Sequence, residues 1–253
     1  MKYNWDWSVY LQPASDASGT WLHYLLVGLV WTLSTALTAW LIALIVGSVV
    51  GVLRTTPSKW IVRTGNAYVE IFRNIPLLVQ MFLWFFVLPE LLPQALGDAM
   101  KQIPPPWGSY YPAVLCLGIY TSVRVAEQVR AGIQSLPRGQ SMAGIALGLT
   151  LPQTYRFVLL PMAFRIILPP LTSEFLNVIK NSSVALTIGL LELTGRARAM
   201  QEFTFKVFEA FAAATVIYLI TNMVVVLLMR VLERRVRVPG LIGSGNQSPQ
   251  AGH

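Results

Sequence analysis

Charged and polar residues set inside long apolar runs are the groups in this sequence with chemistry to do. Arg124 and Glu127 stand three apart in the run 110–130, Glu70 and Arg73 stand three apart in the run 66–92, and Glu174 lies in the run 157–180. An arginine at the centre of a membrane-spanning helix costs roughly 2.5–3.5 kcal/mol on insertion scales, so it faces a partner or a watery cavity. Residues three apart share a helical face. Two readings follow: internal ion pairs Arg124–Glu127 and Glu70–Arg73 that only aid packing, or a polar path on which a planar guanidinium takes a carboxylate bidentately. Lys180, Asn181, Ser182 and Ser183 follow a segment interrupted by Pro169 and Pro170. Unwound backbone and hydroxyls there suit the ammonium and carboxylate of a zwitterion, or else a capped turn at the outer surface. Glu174 is a second candidate for an ammonium, with Arg165 on the same helix as its counter-charge.

Other chemistry is excluded by what the chain lacks. No G-x-x-x-x-G-K-[ST] phosphate loop occurs, so the chain does not bind ATP by that route. His23 and the last residue, His253, are the two histidines, and Cys116 is the one cysteine. No metal-site spacing or Ser/His/Asp grouping results, and no internal disulfide. No metal and no cofactor of its own is expected.

The elements that carry these groups are membrane helices. Of 253 residues 55% are hydrophobic and 12% charged, and 25–53 holds no formal charge over more than the roughly 20 residues needed to cross a bilayer core. An all-α polytopic membrane protein with about five spans is expected, at 25–53, 66–92, 110–130, 157–180 and 208–232. Pro169 and Pro170 break the fourth span, and 184–191 is too short to cross alone and reads as re-entrant. Residues 1–24 form an outer or interfacial arm, in which Trp5, Trp7 and Trp21 suit an interface belt. Residues 234–253 form a tail, Gly/Ser/Gln-rich after Gly240 and expected to be disordered. The formal net charge of +8 comes from basic residues beside the apolar runs, not from one stripe with aromatics, which argues for topology over nucleic acid. Arg54, Lys59, Arg63, Arg138, Arg156, Arg230, Arg234, Arg235 and Arg237 place the first and third loops and the C-terminus inside and the N-terminus outside. Arg196, Arg198 and Lys206 dissent.

On that inner side lies "SLPRGQSMAGIALGLTLPQ", residues 135–153. Pro137 and Gly139 precede an expected helix over 140–147, Gly148 suits a left-handed stop, and Thr150 and Pro152 restart the chain. Ala143, Gly144 and Ala146 leave a face of little bulk, fit to sink into another protein's groove or to lie on lipid.

The stretch resembles the EAA loop of ABC importer permeases, the segment that docks into the cleft of a cytoplasmic ATPase. "EQVRAGIQSLPRGQ", "YRFVLLPMAFRIILP", "EIFRNIPLLVQ" and "VIKNSSVALTIGLLEL" resemble the polar amino acid branch, in order from about Gly28 to Leu232. "TSVRVAEQVRAGI" and "LLMRVLERRVRVPG" look most like its glutamate/aspartate permeases, with glutamine as the alternative substrate. The resemblance implies a type I ABC importer transmembrane domain over 25–233 in a bacterial inner membrane. Its partners would be a second, related permease in a heterodimer, a dimer of ATPases that bind the ATP and Mg, and a periplasmic amino-acid-binding protein. Gly139, Gln140, Met142, Ala143, Gly144, Ala146, Leu147 and Gly148 would couple to the ATPase. Two departures stand out: Met142 replaces the family's usual glutamate, and Arg124 replaces an aromatic residue three before Glu127. An acidic substrate needs a cation for its side chain, so Arg124 is expected to line the path. A secondary transporter or channel would lack a use for the docking stretch, and a membrane enzyme would need inward polar groups that are not seen.

Overall fold

Residues 3–15 and 19–236 are described by the structure, a computed structural model, and they are helical almost throughout. The expected tail, 234–253, falls outside them beyond Val236, as do Arg237 and His253.

Helix α1 (Trp21–Leu53) shows how a helix apolar on all sides still chooses a face. It buries Gly28, Thr32, Ala36, Ala39, Ala43, Gly47 and Gly51, spaced three or four apart, and leaves Leu26, Val30, Leu37, Leu41, Ile45 and Val49 exposed. Lipid solvates leucine as well as a core does, so helices associate where small residues let backbones approach. The partner is α6 (Trp107–Gln134). A Cβ on Gly47 would sit 2.6 Å from the Ser122 carbonyl oxygen, and one on Gly118 would sit 2.8 Å from Ile42 Cβ.

The stretch expected as one span at 66–92 is two helical segments. Helix α2 (Lys59–Arg73) meets the run Leu77–Leu91 at 98°; that run comprises α3 (Leu77–Phe82), a π-helical turn (Leu83–Val87) and α4 (Leu88–Leu91). Pro76 disfavours helical backbone at Ile75 and so sets the break. Gln80, 1% exposed, staples it: its Nε2 donates to the carbonyls of Phe72 at 2.8 Å and Ile75 at 3.0 Å. Helix α5 (Gln94–Lys101) folds back on α4, and Lys101 pairs with Glu90 at 2.7 Å.

The fourth stretch corrects a sequence expectation. After α7 (Arg138–Ala146) and α8 (Leu151–Thr154) come a π-helical turn (Tyr155–Leu159) and α9 (Leu160–Asn181), and α9 runs unbroken through Pro169 and Pro170. The prolines leave the carbonyls of Arg165 and Ile166 without their helical N–H partners, and α9 keeps its course all the same. Both π turns lie directly before a Leu-Pro pair, Leu88-Pro89 and Leu160-Pro161. Proline has no N–H and crowds the carbonyl four residues back; those carbonyls, of Phe85 and Phe157, lie inside the widened turns, which absorb the misfit.

Lys180 and Asn181 finish α9, and Ser182 opens a 3₁₀ segment (Ser182–Ile188) that stops at Gly189 with φ +87°. Lys180, Asn181, Ser182 and Ser183 are thus all helical, neither unwound nor in a capped turn. Helices α10 (Leu193–Thr204) and α11 (Val207–Val236) complete the chain. Glu192, fully buried, ties α1, α10 and α11 together. It accepts from the N–H groups of Thr194 at 3.0 Å and Gly195 at 2.8 Å, from the Tyr218 hydroxyl at 2.9 Å and from Thr32 at 3.2 Å.

The arm packs against this same end of the bundle. Val9, 1% exposed, and Ala14 share a core with Trp21, Tyr24, Leu193, Met200 and Ala210. Trp21 is therefore a core residue and not part of an interface belt, whereas Trp5 and Trp7 are exposed. Among the described residues, the stretches Trp21–Leu53, Leu151–Ile188 and Val207–Val236 are long and apolar enough to cross a bilayer, and the bent pair is a fourth if taken as one span. Helix α6 has the length, 28 residues, and carries Arg124, Glu127 and Arg130 in its second half.

Candidate functional site

Two features stand apart from the packed bundle: the helix α7, and a set of ion pairs reached through α6.

Helix α7 forms where the turn residues direct. Pro137 stands in extended backbone at its start with φ −57° and ψ 134°. Gly148 ends it at φ +82°, the left-handed region that favours glycine, with the N–H of Leu149 donating to the Gly144 carbonyl at 3.1 Å. Thr150 restarts the chain, its N–H donating to the Gln153 side chain at 2.8 Å in a capping box. One point holds α7 down: Gly144 is buried, and a Cβ there would meet Thr154 Cγ2 at 3.0 Å. The opposite surface is apolar and open. Met142 is 63%, Ile145 55% and Leu147 82% exposed, and Ala143 and Ala146 lie exposed between them. Gly139 has nothing within 4 Å of where a Cβ would be. Gln140 is half-buried, and its Oε1 accepts no hydrogen bond.

Of the two ion pairs expected from helical spacing, one forms and one does not. Arg124 reaches across to Glu174 on α9, 3.4 Å away, and not to Glu127. Its guanidinium also lies 3.3 Å from the Tyr120 hydroxyl and over the Tyr120 ring. Glu174 is the more enclosed partner, with its side chain 14% exposed against 44% for Arg124. Arg165, expected as the counter-charge of Glu174, is not its partner. Glu127 instead joins Arg54, at 2.9 Å, and Arg130, at 3.1 Å, and Arg54 Nε donates to Asn66 Oδ1 at 2.8 Å. This second cluster ties the C-terminal end of α1 to the middle of α2 and to α6. Glu70 and Arg73 do pair along α2, at 3.4 Å, with both side chains more than half exposed. The hydroxyls of Ser182 and Ser183 donate to the carbonyls of Ile179 and Lys180, both at 2.7 Å, so they back-bond to the helix, while Lys180 is exposed.

Sequence reasoning missed three participants. Tyr120 lies one turn before Arg124 on the same face and was legible at i, i+4 spacing. Arg54 counted only as a topology signal, and Asn66 had none.

A helical bundle with membrane-length spans, a short helix held out beyond them with its apolar side open, and no nucleotide loop of its own defines the membrane component of a transport assembly. The chain belongs to the family of binding-protein-dependent transport system inner membrane components, whose pattern matches residues 43–238. It is 46% identical over 244 residues to the glutamate/aspartate import permease protein GltJ of Escherichia coli K12, covering 96% of this chain and 99% of that protein. The glutamate/aspartate import permease protein GltK of E. coli O157:H7 is 32% identical over 92% of this chain and 99% of its own length. Among solved structures, the crystal structure of an amino acid ABC transporter with histidines superposes with a TM-score of 0.71 at 31% identity, over 85% of this chain and 95% of that one. The fold is thus that of a type I ABC importer permease, an inner-membrane multi-pass protein whose ATP is hydrolysed by a separate subunit.

Proposed function

We propose that this chain is a permease subunit that carries acidic amino acids, glutamate and aspartate, into the cell at the expense of ATP bound elsewhere. The observation that carries the reading is α7, which holds Met142, Ile145 and Leu147 away from the rest of the chain between two membrane helices. An apolar patch on a helix that lies outside the spans marks a protein or membrane contact, and a short helix laid in a groove is a recurring way to make the former. The groove belongs to an ATPase dimer that binds ATP and Mg. The substrate class comes from the likeness to GltJ along nearly the whole chain. The likeness to GltK supports a second, related permease as partner, and the family description supports a binding protein that delivers the substrate.

In this reading α7 lies in the cytoplasm with Arg230, Arg234 and Arg235, the N-terminal arm lies in the periplasm, and α6 makes a fifth crossing. Arg124 lines the substrate path. Resting against Glu174, its guanidinium exchanges that carboxylate for the substrate's, while Glu174 becomes free for the substrate ammonium. Glu127, Glu70, Arg73, Lys180, Asn181, Ser182 and Ser183 act as supporting groups.

Co-purification tests the docking. Leu147→Asp with Met142→Asp is expected to strip the ATPase from the purified membrane complex, and retention of ATPase with full coupling refutes the role of α7. For the path, Arg124→Ala is expected to abolish glutamate-stimulated ATP hydrolysis in a reconstituted complex while basal hydrolysis persists. Unchanged stimulation removes Arg124 from the path. Full binding-protein-dependent uptake by this chain with ATPase alone refutes the heterodimer.

A further inference from the structure

The outer end of α11 carries a structure that the transport reading does not use. The arm is strapped over it by four contacts. Glu209, fully buried, accepts from the Tyr3 hydroxyl and, at 2.8 Å, from the Asp6 N–H. The Tyr10 hydroxyl donates to the Glu209 carbonyl at 2.8 Å, and Lys206 Nζ donates to the Asn4 carbonyl at 3.0 Å. What the strap holds in place is exposed and aromatic: Trp5 stacks on Trp7 with ring centroids 5.3 Å apart, and both are more than half exposed, as are Phe205 and Phe208. Phe205 also sits at φ +58°, a conformation that costs a bulky residue roughly 1–2 kcal/mol and that here leaves the ring 81% exposed.

Helix α11 fixes the depth of this cluster. From Val207 to its first arginine, Arg230, the rise is about 35 Å, against an apolar bilayer core of about 30 Å. With arginines at one headgroup layer, the arm's aromatics fall at the other, where tryptophan is favoured. Beside the strap, residues of the arm, α1 and α11 line an open groove of about 350 Å³, among them Trp7, Tyr10, Leu22, Ala213, Val216 and Ile217. Its wall is apolar, and its floor, Ala212 and Ala213, is low. The groove is continuous with the lipid-facing surface of the same helices, where Leu26, Val30, Leu219 and Ile220 are exposed.

We propose that this groove is a binding site for a phospholipid of the leaflet on the arm's side, one acyl chain lying on Ala213 beneath the Trp7 ring and the headgroup lying level with Trp5, Phe205 and Phe208. The strap has a purpose in this arrangement. Without the Glu209 contacts, the arm that supplies Trp7 and Tyr10 to the groove has no polar anchor to α11, and that side of the site is lost to bulk lipid.

The test uses the assembled complex in nanodiscs containing a phospholipid with a photoreactive diazirine in its acyl chain, with adducts mapped by mass spectrometry. Adducts are expected to concentrate on Leu22, Ala213 and Val216. Ala213→Phe, which fills the groove, is expected to lower them to the level of the exposed face 219–232, and Glu209→Ala, which removes the Tyr3 and Asp6 contacts but leaves Tyr10 on the Glu209 carbonyl, is expected to lower them in part. Labelling spread evenly along that face in the unmodified complex leaves only annular lipid and overturns the proposal without reference to either variant's folding. A different outcome also overturns it: if groove adducts are unchanged in Ala213→Phe while stimulation of ATP hydrolysis by the solute-binding protein is lost, the platform is a protein docking surface.

Discussion

Replacing Gly47 by alanine adds one carbon where α1 and α6 touch. That carbon would lie 2.6 Å from the Ser122 carbonyl oxygen and 2.6 Å from Val125 Cβ, where unstrained contacts need about 3.5–4.0 Å. The shortfall is about 1 Å, and one of the two atoms is backbone, so a rotamer change cannot relieve it and α6 must move. Overpacking of this kind costs about 1–3 kcal/mol, offset by the roughly 0.8–1.0 kcal/mol that alanine gains over glycine inside a helix. The net expectation is a loss of up to about 2 kcal/mol. Gly51→Ala meets Val129 Cβ at 2.7 Å and the Ala126 carbonyl at 2.8 Å one turn further on. Because the first substitution already shifts α6, the double variant should lose less than the sum of the two. Gly139→Ala, with nothing within 4 Å, is the control and should hold or gain slightly. Gly148→Ala has the same open space but φ +82°, and should lose about 1–2 kcal/mol from backbone strain alone. Heating each variant in one detergent and measuring the fraction still monodisperse by size-exclusion chromatography gives the ranking. Superimposable curves for Gly47→Ala and Gly139→Ala would refute the argument that the α1–α6 contact depends on backbone approach.

Gln80→Leu keeps the bulk but removes both donors at the 98° break, stranding the Phe72 and Ile75 carbonyls at about 1–3 kcal/mol each where they are buried. Faster amide exchange over residues 73–77 and a lower melting temperature are expected, and wild-type exchange there would show that Pro76 alone holds the bend. Tyr218→Phe takes one of four donors from Glu192. Hydrogen bonds to a charged group contribute about 1.5–3 kcal/mol, so thermal stability should fall while the ATPase docking proposed for α7 is unchanged; loss of co-purifying ATPase would contradict the separation of the two ends.

Much of the architecture was legible before any coordinates. Long apolar runs marked α1 and α11, and Pro137, Gly148 and Thr150 outlined α7, because those signals are local: hydropathy, a fixed proline φ and a left-handed stop. The failures were also physical. Pro169 and Pro170 argued for a broken helix by a rule drawn from water-exposed backbone, whereas α9 runs through them; the visible adjustments to proline are the π turns before Pro89 and Pro161. Spacing on one helix suggested that Arg124 and Glu127 pair, but each found a partner on another helix, Glu174 and Arg54. Long-range partners of charges depend on how helices are set beside one another, and a single sequence does not carry that information. Trp21 was misread for a related reason, since an aromatic next to a span start serves the interface or the core according to what the arm does.

The exposed length of α11 has a consequence for handling the molecule. Its N-terminal part is fastened through Glu192 and Glu209, and far along it Thr172 donates to Glu233 at 2.8 Å, yet Leu219, Ile220, Met223, Val224, Leu227, Leu228 and Val231 between them face away from the bundle. A helix so tethered owes much of its shape to the medium that wets it. Detergent chain length therefore acts on this protein as a structural variable: a micelle thinner than the distance from the arm's aromatics to Arg230 loads both fastenings, and the single Thr172–Glu233 hydrogen bond is the weaker of the two.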